Sequence, residues 1–211
     1  MVTLFLWRKR EDAFKVCTPG ALSLAKMVKM HHFHVSIKEY HARGKKNLFP
    51  DLYGCPNPCC CYEGMLHRHA FYPRNALALT GTYSIWIQRY YCPVCRRTVS
   101  LLPSFLAPHY QYTMGLIFFV LWRLYRCGQT MQAVPGKINL ASGRRELSYQ
   151  HISFYRRRFI RNLPLLAGFL ASMGMTAAPC PNAMVSGIRR YGLSSFTLDY
   201  FSFQSRHFLG S

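Results

Sequence analysis

The sequence predicts an α+β protein in which a small β ribbon, bounded by cysteines, precedes a mainly α, helix-turn-helix-like region. Three observations carry this expectation. Cys55 with the run Cys59, Cys60 and Cys61, and then Cys92 with Cys95, bracket a stretch of alternating apolar and polar residues. Behind them, the segments 112–127 and 148–163 are helical in pattern, the second with Ile152, Tyr155, Phe159 and Leu163 at spacings of three and four. The charge is one-sided: 27 Lys and Arg against 7 Asp and Glu, a formal +20 over 211 residues.

Along the chain, residues 1–30 differ in composition from the rest of the sequence, and Met27 and Met30 are alternative starts, so this part reads as an N-terminal arm. The next histidines, His31, His32, His34 and His41, fit the head of a strand or helix better than a metal site, because 34–37 alternates polar and apolar. Residues 43–54 have the Gly, Lys, Asn and Pro content of a linker. In the cysteine block, Leu77 and Leu79 lead to a turn at Thr80-Gly81. Tyr83, Ile85 and Ile87 then alternate with Ser84, Trp86 and Gln88 as a strand that runs into Cys92. Residues 101–109, with Pro103 and Pro108, are expected as an extended connector. A helix over 112–127 has its arginines in the last turns and Gly128 just past its end. Residues 130–134 offer a short middle element, cut by Pro135-Gly136. The next helix starts at Ser148 as N-cap and stops at Pro164. The expected organisation is an arm (1–30), a ribbon domain (31–110), a helix-turn-helix-like region (111–165) and a helical, aromatic tail (166–211).

The cysteine spacing points to metal. Cys92-Pro93-Val94-Cys95 is a knuckle that aims two sulfurs at one point, and the first group supplies two more, completing the four ligands of tetrahedral zinc. Cys55 with Cys60 is the preferred first pair, leaving Cys59 and Cys61 as free thiols. Chemistry alone leaves Cys59, Cys60 and Cys61 open, His67 and His69 are rival ligands, and a redox role for Cys92 and Cys95 is a further alternative. Four cysteines leave no position for water, so the zinc is expected to be structural. No secretory signal opens the sequence and no apolar run reaches membrane-spanning length, which points to a cytoplasmic, nucleoid-associated protein.

The basic excess favours a polyanionic partner, DNA first and RNA second. On the helix from Ser148, the face opposite the apolar stripe carries Gln150, Ser153, Arg157, Arg158 and Arg161, and Arg144 and Arg145 precede it. Arg binds guanine or phosphate with two hydrogen bonds and Gln reads adenine, as a recognition helix requires. Arg156 reads as partly core-facing. The seven acids are scattered, so a two-metal catalytic site is not expected and no catalytic residue is assigned. The readings kept beside DNA binding are an RNA-binding or ribosome-associated protein and a fragment of a transposase or nuclease.

These residues also resemble a family. Cys55-Pro56-Asn57-Pro58 with Cys60, Leu66-His67-Arg68-His69, the strand 83–88, Arg89-Tyr90-Tyr91-Cys92-Pro93-Val94-Cys95 and Ser100-Leu101-Leu102-Pro103-Ser104-Phe105-Leu106 are similar to a bacterial family of unknown function. Its members pair a transposase-like zinc ribbon with a helix-turn-helix and are associated with mobile elements. The resemblance covers roughly residues 31–165 and implies zinc at Cys55, Cys60, Cys92 and Cys95, and DNA binding by the helices. It implies no enzymatic activity. Three features depart from the pattern: Arg96 stands where such ribbons usually have Gly, Cys59 and Cys61 crowd the first knuckle, and no integrase-type catalytic domain is evident.

Overall fold

The computed structural model describes residues 27–135, 147–204 and 209. Arg144 and Arg145 lie outside these residues, as does the stretch 1–26 of the expected arm.

The first half is a four-stranded sheet. Its strands are β1 (Val28–His31), β2 (His67–Ala78), β3 (Gly81–Tyr91) and β4 (Thr98–Pro103), in the order β1-β4-β3-β2. β2 and β3 pair antiparallel through a tight turn at Leu79-Thr80, with Ala78 opposite Gly81. Gly81 has φ 137, a conformation that a side chain would strain, so glycine is needed there. β1 pairs in parallel with β4, Val28 opposite Ser100 and His31 opposite Pro103. The sheet therefore begins inside the stretch expected to be an arm, and Leu101 and Leu102 belong to a strand rather than to a connector. Both are nearly fully buried, which an extended surface connector would not allow.

A helix, α1 (Ile37–Arg43), covers one face of the sheet. Ser36 decides between strand and helix at this point: its side chain accepts the Glu39 N–H and caps the first turn. Tyr40 is completely buried, with its ring edge-on to Phe33 (4.9 Å) and Phe105 (5.5 Å). Its hydroxyl donates to the Trp86 carbonyl at 3.0 Å. The buried polar residues Asn47 and Gln88 are bonded to backbone. Asn47 donates to the Tyr40 and Gly44 carbonyls, and Gln88 donates to the Ala70 and Arg89 carbonyls beside the register shift between Arg68 and Ala70.

The second half is helical: α2 (Met114–Tyr125), α3 (Tyr149–Arg161), α4 (Leu163–Ser172), α5 (Pro181–Tyr191) and α6 (Leu193–Gln204). Thr113 caps α2. Ser148 caps α3 in a capping box closed by His151, and Ile152, Tyr155 and Phe159 are buried, as their spacing predicts. Pro164 does not end that helix. α3 stops at Arg161, and Pro164 sits in the first turn of α4, where its missing N–H costs nothing. The expected tail is also not an appendage. Phe169 of α4 packs edge-on against Phe196 (5.5 Å) and Tyr200 (5.4 Å) of α6, and these join α2 and α3 in one core. Between α2 and α3, one helical turn at 133–135 buries Val134, and the described residues resume at Leu147. The described residues do not establish a helix-turn-helix.

The halves join at the end of β2, where the Thr113 N–H donates to the Leu77 carbonyl at 2.9 Å and the Leu77 N–H to the Gln111 carbonyl at 2.8 Å. No helix among the described residues is long and apolar enough to cross a membrane.

Candidate metal centre and basic helical face

Two short loops build the centre. The first runs Cys55-Pro56-Asn57-Pro58-Cys59-Cys60, with prolines on both sides of a buried Asn57. The Asn57 carbonyl accepts the Cys60 N–H at 2.8 Å and its side-chain oxygen accepts the Cys59 N–H at 3.2 Å. The prolines restrict the backbone, and the asparagine closes the turn that brings Cys60 beside Cys55. The second loop joins β3 to β4. The Arg96 N–H donates to the Cys92 carbonyl and the Cys92 N–H to the Arg97 carbonyl, both at 2.9 Å. Arg96 has φ 56, so the residue in the place usual for glycine does adopt the conformation that favours glycine.

The four sulfurs of Cys55, Cys60, Cys92 and Cys95 lie within 4.8 Å of one another and can hold one metal ion. Cys55 and Cys95 sulfurs are 3.6 Å apart, and those of Cys60 and Cys92 are 3.8 Å apart. This resolves the open choice in the first group. Cys61 is exposed and outside the cluster. Cys59 is disulfide-bonded, not the free thiol expected. His67 and His69 are exposed on β2 and also lie outside the cluster; the His69 ring instead sits 5.9 Å from that of Tyr91.

The thiols differ in acidity. Burial pushes Cys55 up to about 12; the Asn57 N–H opposes this, and contacts with Cys95, Cys92 and Cys60 add to it. Burial likewise raises Cys60, against the Tyr62 N–H. At Cys95 burial also works upward, but hydrogen bonds from the Arg97 N–H and the Asn57 side chain, together with Cys55 and Cys92, bring it down to about 7. Asn57 is thus a part of the centre that cysteine spacing does not reveal. Its position between two prolines in the knuckle was the available signal.

On α3, Gln150, Arg157 and Arg161 are exposed and Ser153 is half-buried. Arg158 is not a free contact residue. Its guanidinium donates to the Leu209 carbonyl at 3.1 Å and lies 4.6 Å from the Phe154 ring, so it ties Leu209 to α3. Arg156, expected to be partly core-facing, is exposed, since Tyr155 and Phe159 take the buried positions around it.

The chain is thus a mixed α+β protein with a cluster of four cysteines that could hold a metal ion, an arrangement that fits a zinc ribbon. Residues 55–135 match the family model described as a domain of unknown function (DUF6431). No curated protein and no solved structure matches the chain. The matched segment begins at Cys55, spans all four cysteines and α2, and stops before α3.

Proposed function

We propose that the chain is a zinc-ribbon protein that binds duplex DNA, with a structural zinc ion at Cys55, Cys60, Cys92 and Cys95 and no catalytic domain of its own. Zinc fits the donor set. Zn–S bonds of about 2.3 Å at tetrahedral angles put sulfurs about 3.8 Å apart, close to the Cys55–Cys95 and Cys60–Cys92 separations and within the 4.8 Å that spans all four. With all four positions filled by sulfur, the ion fixes the two loops and activates no water.

The observation that carries the DNA reading is the charge distribution of the helical half. Arg156, Arg157 and Arg161 stand exposed on one helix, and the two ion pairs among the described residues both lie in the sheet half. Such a surface repels itself in isolation, and a polyanion offsets that repulsion. Gln150 and Ser153 lie on the same outward side and supply the base-reading groups. A nucleoid-associated protein is the setting this reading favours, and the association of the resembled family with mobile elements fits it. The test is duplex binding by the zinc-loaded chain across a salt series, comparing wild type with Arg157→Ala/Arg161→Ala. Each phosphate contact contributes a slope of about 0.9 in log K against log salt, so the double variant is expected to lose a slope of about 2 at unchanged zinc content. Equal affinity and slope in wild type and variant would remove α3 from the interface, and preference for single-stranded RNA would replace DNA by RNA as the partner.

A further inference from the structure

We propose that α3 is one edge of a composite phosphate-binding face whose centre is Trp122, with Arg126 from the end of α2, Arg156 from α3 and Arg189 from the last turn of α5 gripping successive phosphates of duplex DNA. The inference rests on the DNA-binding reading above and extends it to residues far apart in sequence.

The geometry at Trp122 carries it. The Arg189 guanidinium carbon is 4.3 Å from the centre of the Trp122 ring, and that of Arg126 is 5.8 Å from the same ring. One half-buried indole therefore draws together cations from two helices. Arg123, one residue on, lies 5.8 Å from the Phe119 ring and is held by its Nε to the Gln129 side chain at 2.8 Å. On the α3 side, the Tyr125 ring packs 5.9 Å from Phe159. The Tyr125 hydroxyl is buried without a hydrogen-bond partner among the described residues; burial raises the phenol, and the charge of Arg156 works the other way. Arg126, Arg156 and Arg189 are all exposed.

No carboxylate among the described residues answers this charge. The helical half has eight described arginines and one described acid, Asp199, whose carboxylate accepts the Tyr191 hydroxyl at 2.7 Å. A cation at the end of a helix is favoured by the helix dipole, which accounts for Arg123 and Arg189 separately. It does not account for guanidinium groups from two helices meeting at one ring, with Arg156 of a third helix beside the neighbouring Tyr125 and no acid among the described residues between them. Stacking on an aromatic face holds a guanidinium flat and leaves its N–H edge pointing outward, the arrangement that meets a phosphate with two hydrogen bonds.

The test uses the full zinc-loaded chain and a mixed-sequence duplex, with dissociation constants measured across a salt series. Two double variants are compared, Arg126→Gln/Arg189→Gln and Arg126→Lys/Arg189→Lys, with thermal midpoint and zinc content as controls. The Gln pair is expected to weaken binding by about tenfold to a hundredfold at physiological salt and to flatten the slope by about 2, while the Lys pair keeps the wild-type slope. If the Gln pair binds with wild-type slope while Arg157→Ala/Arg161→Ala does not, the composite face is wrong and the DNA-binding reading stands. A Lys pair as flat as the Gln pair means that the arginines act by packing on Trp122, and also overturns the inference. If the wild-type chain does not bind duplex, the functional reading itself has failed.

Discussion

The two halves of this molecule solve the same folding problem with different chemistry. The sheet half uses polar groups: two ion pairs, four clustered thiols, and side chains such as Tyr40, Arg74 and Tyr90 that reach across the chain to backbone carbonyls. Arg74 alone donates to the Ala107 and Tyr110 carbonyls, both at 2.6 Å. The helical half has no ion pair among its described residues and is held by a continuous apolar core from Leu116 to Tyr200. The sheet half also has an apolar core, from Phe33 to Leu106, but it adds these polar ties to it, whereas the helices leave their outer surface free of ion pairs among the described residues. The arginines of the second half occupy that freedom.

The comparison breaks most visibly if metal is removed. Cys92 is completely buried. For Cys92→Ser, or chelation of the wild type, zinc is expected to fall from one per chain to none, with loss of protection in residues 54–66 and in the β3–β4 loop. Structural zinc supplies on the order of 10 kcal/mol in small domains, so this is the largest effect expected. Hydrogen exchange read by mass spectrometry separates the halves, and α2 and α4 should stay protected. Simultaneous opening of both would show that they are one cooperative unit. The pH dependence comes from the thiols. Cys55 and Cys60 are held protonated by burial and must give up protons to bind metal, so affinity should fall as pH is lowered from 8 to 6.

The reciprocal change is Phe169→Ala. Phe169 is 1% exposed and meets Tyr191, Phe196, Tyr200 and Phe203 at centroid distances of 6.0, 5.5, 5.4 and 5.6 Å. Removing a buried aromatic ring costs about 3–5 kcal/mol. The thermal midpoint should drop sharply while zinc content stays at one per chain. Loss of zinc in this variant would mean that the helical core supports the metal centre across the Leu77–Thr113 junction.

Legibility in the sequence divides along the same line. Local chemistry could be read: the second knuckle, the hairpin turn (expected at Thr80-Gly81 and found one residue earlier, at Leu79-Thr80), the Ser148 cap and the Ile152, Tyr155, Phe159 stripe each depend on neighbours within a few residues. Pairings over long distances could not. Nothing near Val28 says that it will pair with Ser100, because a parallel edge strand takes its partner from 72 residues away. The helices of 166–204 read as a tail in sequence because an all-round apolar segment such as Leu163–Ser172 has no face to read until its neighbours are known. Spacing alone leaves Cys60 beside Cys59 and Cys61; what sets Cys60 apart is Asn57, whose carbonyl accepts the Cys60 N–H. The arginines at Trp122 come from separate helices, so periodicity along any one of them says nothing of their meeting.

The smallest predicted effect sharpens the comparison where it is most local. Ser148 caps α3, with its hydroxyl 2.9 Å from His151 Nδ1 and accepting the His151 N–H. Ser148→Ala removes the side-chain half of this box and should cost about 1 kcal/mol. A helix that carries its arginines on an exposed face gains no ion pairs to compensate, so the first turn of α3 should fray, with faster exchange at residues 149–152 and unchanged exchange in α4. Zinc content and the exchange of β3 should not move. A loss of several kcal/mol instead would show that the start of α3 supports the core through the Tyr112–His151 ring contact at 5.2 Å as well as through its cap.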